Sequence, residues 1–211
     1  MQPDLSHDQI CARILEAPAH PRRRLIAVAG PPGSGKSTFA AKIAEMLQRR
    51  GTQTAVVPMD GFHLDNRLLD MDGTRTAKGS PHTFDAAGVL RLVAAMQQTG
   101  DLIYPLFDRS RDIAIAGAGR LPATCETVLI EGNYLLFDAP IWRDLAAHWT
   151  WSIALTPPRS LLHERLVQRW LDHGMAPDQA VARAEENDMK NAGLVLDHML
   201  PADLTLTEVP T

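Results

Sequence analysis

Five short runs of apolar residues recur along the chain, and each has the length of a β-strand that is buried on both faces. They cover residues 25–29, 54–59, 127–130, 149–155 and 204–206. The first run reads Leu-Ile-Ala-Val-Ala without a polar interruption. The longer segments between the runs show helical spacing of apolar residues, a pattern that is typical of parallel strands joined by helices.

Helical patterns fill most of the connecting segments. Ser6 and Gln9 form a capping box that begins a leading helix, and Pro18 and Pro21 end it, so residues 1–21 are predicted to be a helix and a linker. Further helices are predicted over residues 36–50, 85–98, 160–172 and 177–189. The alternation predicts an α/β fold with a doubly wound, mostly parallel five-stranded sheet and helices on both of its faces.

Two regions break the alternation of strands and helices. Residues 61–80 are rich in Asp, Gly, Arg and Lys, which predicts short helical pieces and a mobile loop. The pattern of residues 103–116 predicts a short segment that is either irregular or a pair of strands. Because functional residues are concentrated in loops that a rigid scaffold carries, we expect both regions to bind a ligand.

The composition fits one globular domain of 211 residues, of which 45% are hydrophobic and 22% charged. No run reaches the roughly eighteen apolar residues of a membrane span, and the N-terminus lacks a secretory pattern, so we expect a cytoplasmic protein that does not engage a membrane. The net charge of −4 argues against a broad nucleic-acid-binding face. Cys11 and Cys125 form no metal or redox motif.

One motif at the end of the first strand indicates phosphate binding. Residues 30–37 match G-x-x-x-x-G-K-[ST] in full, directly after a strand and directly before a helix. In such a P-loop, backbone N–H groups and the helix N-terminus bind phosphates, Lys36 reaches the outer phosphates and Ser37 offers a hydroxyl to magnesium. We expect a P-loop NTPase fold whose nucleotide phosphates contact Gly30, Pro31, Pro32, Gly33, Ser34, Gly35, Lys36, Ser37 and Thr38.

Two carboxylates follow predicted strands. Asp60 comes after the second strand and Glu131 after the third. Since ligands of open α/β sheets bind at the carboxyl ends of strands, both side chains are expected at the P-loop site. Phosphoryl transfer needs one acid for magnesium or its waters and one carboxylate to orient and deprotonate a hydroxyl. We assign Asp60 as the base and Glu131 to the metal with Ser37, although the residues alone also allow the reverse.

The helix predicted at residues 160–172 carries two arginines, Arg165 and Arg169, that can face one ligand. We expect an anion to compensate the repulsion between their positive charges, either a bound triphosphate or a neighbour such as Asp172. With the triphosphate, residues 158–190 would form a helical lid. An acceptor with hydroxyl groups needs polar and aromatic partners, and the candidates, mostly within residues 60–120, are Phe62, His63, Arg75, Lys78, Tyr104, Asp108, Arg109 and Asn133.

At these residues the chain resembles the P-loop kinases of the uridine kinase, phosphoribulokinase and type I pantothenate kinase superfamily. The matching stretches are the P-loop and residues 58–63, 78–81, 83–85 and 131–134. Within the superfamily the chain is most similar to the bacterial group named fructose transport system kinases. The resemblance implies ATP as phosphate donor, Asp60 as catalytic base and residues 104–111 as an acceptor contact.

The sequence therefore predicts a kinase that uses ATP and Mg²⁺ and transfers the terminal phosphate to a hydroxyl of a small metabolite. The resemblance suggests a sugar such as fructose as that metabolite. A nucleoside or pantothenate-type kinase is an alternative, and so is a P-loop NTPase that acts as a regulator, with water as its only acceptor. The sequence leaves the acceptor and the oligomeric state open, a homodimer included.

Overall fold

The computed structural model describes residues 5–18, 23–98 and 100–207, so the predicted linker at residues 19–21 lies outside the described part. In chain order the helices and strands are α1 (His7–Glu16), β1 (Arg24–Ala29), α2 (Lys36–Arg49), β2 (Thr54–Pro58), α3 (Asn66–Met71), α4 (Ala86–Met96), β3 (Leu102–Asp108), β4 (Ile113–Leu121), β5 (Thr127–Gly132), β6 (Trp151–Leu155), α5 (Arg159–Asp172), α6 (Pro177–Arg183), α7 (Met189–Asp197) and β7 (Leu204–Leu206).

A parallel five-stranded sheet in the order β2-β5-β1-β6-β7 confirms the predicted fold class. Strand β1 lies in the middle, with Val28 opposite Glu131 of β5 and opposite Ile153 of β6. Because all five strands are parallel, the P-loop after β1 and the segments after β2 and β5 meet at one edge of the sheet. This edge carries the candidate site.

Two layers of helices cover the sheet, as predicted. Side chains of β1 alternate between the faces, so that Leu25 and Ala27 belong to the core shared with α4, whereas Ile26 and Val28 belong to the core shared with α1 and α2. All four of these side chains are fully buried. No helix in the described part of the chain is long and apolar enough to cross a membrane.

The predicted bounds need four corrections. The helix predicted to end at residue 189 continues through a π-helical turn, Ala184–Asp188, into α7. Polar residues of this turn are buried and hydrogen-bonded, so the loss of apolar spacing did not mark a helix end. Met59 belongs to a 3₁₀ turn, Met59–Phe62, rather than to β2. Strand β6 begins at Trp151, and β5 extends far enough to include Glu131.

The two irregular regions of the sequence form compact structure. Residues 61–80 contain α3 and short 3₁₀ turns, which confirms the predicted helical pieces. The paired-strand interpretation of residues 103–116 is also confirmed, since β3 and β4 form an antiparallel hairpin that extends to Leu121. Its register shifts between Tyr104 and Leu106 because Pro105, which lies between them, has no N–H for the ladder. The hairpin turn points Arg109 toward the P-loop edge of the sheet.

Candidate active site

The backbone of the P-loop depends on three of its glycines. Gly33 and Gly35 adopt left-handed φ angles of 80° and 86°, a conformation that orients successive N–H groups toward one concavity. A Cβ on Gly30 would lie 2.6 Å from the Ser34 hydroxyl and 2.8 Å from the Leu155 carbonyl oxygen. Lys36 is the first residue of α2, so the helix N-terminus faces the same concavity.

The P-loop opens into a cleft of about 700 Å³. Segments after β2, the β3–β4 turn, helix α5 and the α6–α7 run form its other walls. The sequence-predicted residues that line it are Pro32, Gly33, Gly35, Lys36, Ser37, Thr38, Asp60, His63, Arg75, Lys78, Arg109, Asn133 and Arg169. Most predicted phosphate-site residues and more than half of the predicted acceptor residues therefore share one cleft.

Lys36, Glu131 and Asp60 form one electrostatic cluster at the base of the cleft. Burial lowers the pKa of the Lys36 ammonium, and the Glu131 and Asp60 carboxylates oppose that shift. Burial raises the pKa of Glu131, which is only 6% exposed, whereas Lys36 and the Ser37 hydroxyl lower it. The two carboxylates and the P-loop lysine thus act on each other across the edge of the sheet.

The raised pKa of Glu131 gives a prediction for stability in the absence of nucleotide and magnesium. Because its folded-state pKa exceeds the unfolded value, the ionised side chain costs stability once the pH rises through the folded-state pKa. We expect Glu131→Gln to unfold at a higher temperature than the wild type at neutral pH. The difference should vanish near pH ~4, where glutamate takes up its proton.

Thermal unfolding across this pH range measures the effect, with the exposed Glu126→Gln on the neighbouring turn as the matched control. A lower melting temperature for Glu131→Gln at neutral pH would contradict the electrostatic account of the buried carboxylate.

Asp60 is the second residue of the 3₁₀ turn after β2 and is paired with the hairpin. Its Oδ2 accepts a hydrogen bond of 2.6 Å from Nη2 of Arg109. The Asp60 side chain is 19% exposed and the Arg109 side chain 62% exposed, so the carboxylate lies at the floor of the cleft and the guanidinium above it. The ion pair fixes the orientation of the carboxylate and connects the β3–β4 turn to the end of β2.

His63 stands beside Asp60 in an aromatic pocket. Its Nδ1 lies 2.8 Å from the Asp60 carbonyl oxygen, and its ring packs against Phe84 and Phe107 with centroid distances of 4.0 and 4.5 Å. A carbonyl oxygen can only accept, so Nδ1 carries the hydrogen and Nε2 is the acceptor of the neutral ring. Burial lowers the pKa of His63, which favours that neutral form.

Lys78 and Arg75 both line the cleft, but they differ in their exposure and in their ion-pair partners. The Lys78 ammonium is 10% exposed and donates to Asn66 Oδ1 at 2.7 Å and to Asp112, whose carboxylate lies 2.8 Å away. Arg75 is half exposed and paired with Asp70 at 2.8 Å. Lys78 therefore has a fixed position in the wall, whereas Arg75 pairs with a carboxylate near the cleft rim.

Three predicted acceptor residues lie outside the lining of the cleft, which corrects that part of the expectation. Tyr104 is 7% exposed and packs tightly against Gly119 in the core. Phe62 packs into the same core. Asp108 turns away to bind the Ser110 hydroxyl and the Arg111 guanidinium, which lower its pKa to about 2. Phe62 lies in a 3₁₀ turn, Arg109 lies in the hairpin turn, and the register of β3 shifts after Tyr104, so strand alternation in the sequence did not indicate which of these side chains face the cleft.

The two predicted lid arginines have different surroundings. Arg165 donates to the carbonyl oxygens of Gly33 and Ser34 at 3.3 and 3.4 Å, so it braces the P-loop from outside the cleft. Arg169 lines the cleft and pairs with Asp188 at 3.0 Å. Of the two arginines, only Arg169 lines the cleft, so the two side chains do not face it together.

The sequence did not indicate a group of cleft residues on α5 and the α6–α7 run, which are Trp170, Arg183, Asn187, Asp188 and Asn191. The signal in the sequence was the polar set of residues 187, 188 and 191 inside an otherwise helical segment. Such a set is also typical of a solvated helix face, so only the structure shows that its members are buried.

Comparisons with known proteins identify the family of the chain. The family model for the phosphoribulokinase/uridine kinase family matches residues 25–172. The chain belongs to this family. Its P-loop, the acid after β2 and the acid at the end of β5 are all within the matched segment.

Individual relatives extend the match to nearly the whole chain. A Schizosaccharomyces pombe protein provisionally named as a uridine kinase is 33% identical over 98% of this chain and 93% of its own length. Escherichia coli YggC, a protein of uncharacterised function, is 35% identical over 87% of this chain and 77% of its own. The crystal structure of a protein from Silicibacter sp. TM1040, provisionally named as a fructose transport system kinase, superposes with a TM-score of 0.93 at 53% identity, covering 96% of this chain and 99% of that one.

Members of the phosphoribulokinase/uridine kinase family transfer phosphate from ATP to small molecules with Mg²⁺, so the chain is an ATP-dependent phosphotransferase. The residues at the base of the cleft fit magnesium, because the Ser37 hydroxyl is hydrogen-bonded to the Glu131 carboxylate, the Asp60 carboxylate interacts with Glu131, and hard oxygens are the ligands that Mg²⁺ prefers. Within the described residues no cluster of three or more His, Cys, Asp or Glu side chains forms a metal cage. Nucleotide-bound Mg²⁺ typically needs only one or two protein carboxylates.

Proposed function

We propose that this kinase phosphorylates a hydroxyl group of a small polar metabolite, with a sugar such as fructose as the first candidate. The observation that carries the proposal is the position of Asp60, an accessible carboxylate on the floor of the cleft that interacts with the P-loop lysine. The 53% identical structure that is provisionally named as a fructose transport system kinase supports the sugar.

Asp60 suits the role of base better than Glu131. The Asp60 carboxylate lines the cleft, whereas Glu131 is buried beside Lys36 and does not line it. In the proposed reaction the acceptor hydroxyl donates a hydrogen bond to Asp60, its oxygen forms a bond to the terminal phosphorus, and the bond from that phosphorus to the bridging oxygen of ATP breaks. The hydroxyl proton passes to Asp60, and ADP leaves.

The remaining residues supply binding and charge compensation. Lys36 and the P-loop N–H groups hold the phosphates, and Ser37 and Glu131 would hold magnesium, which neutralises phosphate charge. Arg169 is the lid cation that compensates charge on the transferred group. The acceptor hydroxyls have hydrogen-bond partners in Nε2 of His63 and in the side chains of Arg75, Lys78, Arg109 and Asn133.

Replacement of the P-loop lysine should weaken triphosphate binding. We expect Lys36→Ala to raise the dissociation constant of the non-hydrolysable analogue AMP-PNP about tenfold, because the variant loses a charge-assisted contact to the outer phosphates. Calorimetric titration measures this constant. Lys42→Ala is the matched control, since Lys42 lies on the same helix with a 49% exposed side chain and pairs with Glu45. Unchanged AMP-PNP affinity in Lys36→Ala would contradict the proposed role.

The acceptor is tested by ADP release, measured with ATP, Mg²⁺ and a panel of fructose, other sugars, polyols, uridine, cytidine and pantothenate. The proposal predicts turnover above the basal rate with a sugar. Stimulation by a nucleoside or pantothenate alone would replace the sugar by that class of acceptor. Turnover that no compound stimulates would favour a regulatory NTPase.

A further inference from the structure

The buried carboxylate of Asp188 binds two neighbouring side chains of helix α5. Its side chain is 9% exposed, and Oδ2 accepts from Nη2 of Arg169 at 3.0 Å and from Nε1 of Trp170 at 2.6 Å. The Arg169 guanidinium also lies over the Trp170 ring, with its Cζ 5.2 Å from the centroid. A carboxylate and an indole ring therefore hold Arg169 in one place.

That place is beside the phosphate site. Arg169 lines the same cleft as the P-loop, and its positive charge contributes to the lowered pKa of Lys36. A guanidinium has five N–H donors, and Asp188 accepts from one nitrogen, so the others can bind phosphate oxygens. Arg169 is thus directed at the cleft by a partner that does not use up its donors.

Neighbours of Asp188 on the same helical run contact a different segment of the chain, residues 78–80. Asp188 ends the π-helical turn Ala184–Asp188, in which Asn187 donates to the Lys78 carbonyl oxygen at 3.1 Å. One turn later, Asn191 accepts a hydrogen bond of 2.8 Å from the Ser80 hydroxyl. Adjacent residues of an α-helix differ by about 100° in direction, and a π-helical turn changes this spacing locally. The turn connects the lid helix, through Asp188, with residues 78–80, through Asn187 and Asn191.

We propose that Asp188 is a positioning residue that holds Arg169 against the terminal phosphate of bound ATP. The inference rests on the proposed lid role of Arg169. It does not depend on the identity of the acceptor, because nucleotide binding alone tests it. Asp188 contributes orientation rather than a phosphate contact, since a carboxylate would repel the phosphates if it approached them directly.

The test is a double-mutant cycle with Arg169→Ala and Asp188→Asn, read out as the dissociation constants of AMP-PNP and ADP by calorimetric titration. Each single variant should bind AMP-PNP about tenfold more weakly than the wild type and ADP within about twofold, because only AMP-PNP carries the terminal phosphate. The double variant should bind AMP-PNP no more weakly than Arg169→Ala alone, since Asp188 acts through Arg169.

Asp197→Asn is the matched control. Asp197 pairs with Arg159 at 2.8 Å and also links the last helix to α5, but neither residue lines the cleft. This variant should bind both nucleotides like the wild type. If Asp188→Asn does not fold, Asp188→Glu replaces it in the cycle. Glutamate retains the charge, but its longer side chain displaces the guanidinium. It should weaken the binding of AMP-PNP but not of ADP, and its effect should not add to that of Arg169→Ala.

Four results would overturn the inference. The first is that the Asp188 variants bind AMP-PNP as tightly as the wild type although Arg169→Ala binds it more weakly. The second is an equal loss for ADP and AMP-PNP, which indicates a general structural role, and the third is additive losses in the double variant. The fourth is wild-type AMP-PNP affinity in Arg169→Ala, which would contradict the lid role of Arg169 and would overturn the inference with it, whereas the acceptor proposal is tested separately by the ADP-release assay.

Discussion

Replacement of Asp60 by asparagine is expected to lower kcat by about 10²–10⁴-fold, the range typical for loss of a general base. Asparagine preserves the size of the side chain and can still accept the hydrogen bond that Arg109 donates to Asp60. It cannot take the proton of the acceptor hydroxyl at neutral pH. The dissociation constant of AMP-PNP should change little, since Asp60 is assigned to the acceptor side of the reaction.

Steady-state turnover and calorimetric titration of the same preparation separate the two effects. Asp138→Asn is the matched control, because Asp138 is half exposed, pairs with Arg143 at 3.1 Å and does not line the cleft. Full turnover by Asp60→Asn would remove Asp60 from the role of base. A loss of AMP-PNP affinity with unchanged kcat would move it to the metal and leave Glu131 as the base.

The largest expected loss of stability concerns Arg23, far from the site. This arginine is 2% exposed, and all its hydrogen bonds to the described residues go to main-chain carbonyl oxygens at 2.9–3.3 Å. These oxygens belong to Met96, Gln98, Gly100, Pro122 and Cys125. Arg23→Met should lower the free energy of unfolding by about 3–5 kcal/mol, because it leaves these carbonyls without their donor.

Urea unfolding measures this loss, and Arg143→Met serves as a control that removes an arginine from a half-exposed ion pair. The control should lose less than about 1 kcal/mol. Arg23→Lys keeps the charge but loses the planar set of guanidinium donors, so its free energy of unfolding should lie between those of the wild type and Arg23→Met. A loss below about 1 kcal/mol in Arg23→Met would show that water replaces the guanidinium at these carbonyls.

The fold was predictable because its strands are short apolar runs and its first turn is a complete motif. A buried parallel strand must be apolar on both faces, and β1 is, so its place between two helical layers followed from the sequence. The P-loop then fixed which edge of the sheet carries the site. The prediction that a helix ends at residue 189 was wrong. Asn187 and Asp188 have hydrogen-bond partners in distant segments, and the local spacing of apolar residues does not reveal such partners.

In the site, too, local sequence predicted some residues, whereas others depend on contacts between distant segments. Asp60 and Lys36 were predictable from their positions after strands, and the structure brings them together. Tyr104 and Arg109 belong to one hairpin, yet only Arg109 reaches the cleft, because a register shift at Pro105 and the hairpin turn decide which side chains face it. The polar set that includes Asp188 could not be told from a solvated helix face, since its burial depends on contact with a helix residue 18 positions earlier in the chain.

If Asp60 is the base, the terminal phosphate of ATP passes to the hydroxyl of a small metabolite and not to water. Phosphorus NMR of reaction mixtures with ATP, Mg²⁺ and the most active acceptor of the panel tests it directly, with the wild type and Asp60→Asn compared at equal concentrations. We expect the wild type to form ADP and a new phosphomonoester in equal amounts, and Asp60→Asn to form neither at a comparable rate. Formation of ADP and inorganic phosphate alone, at the same rate in both proteins, would contradict this expectation.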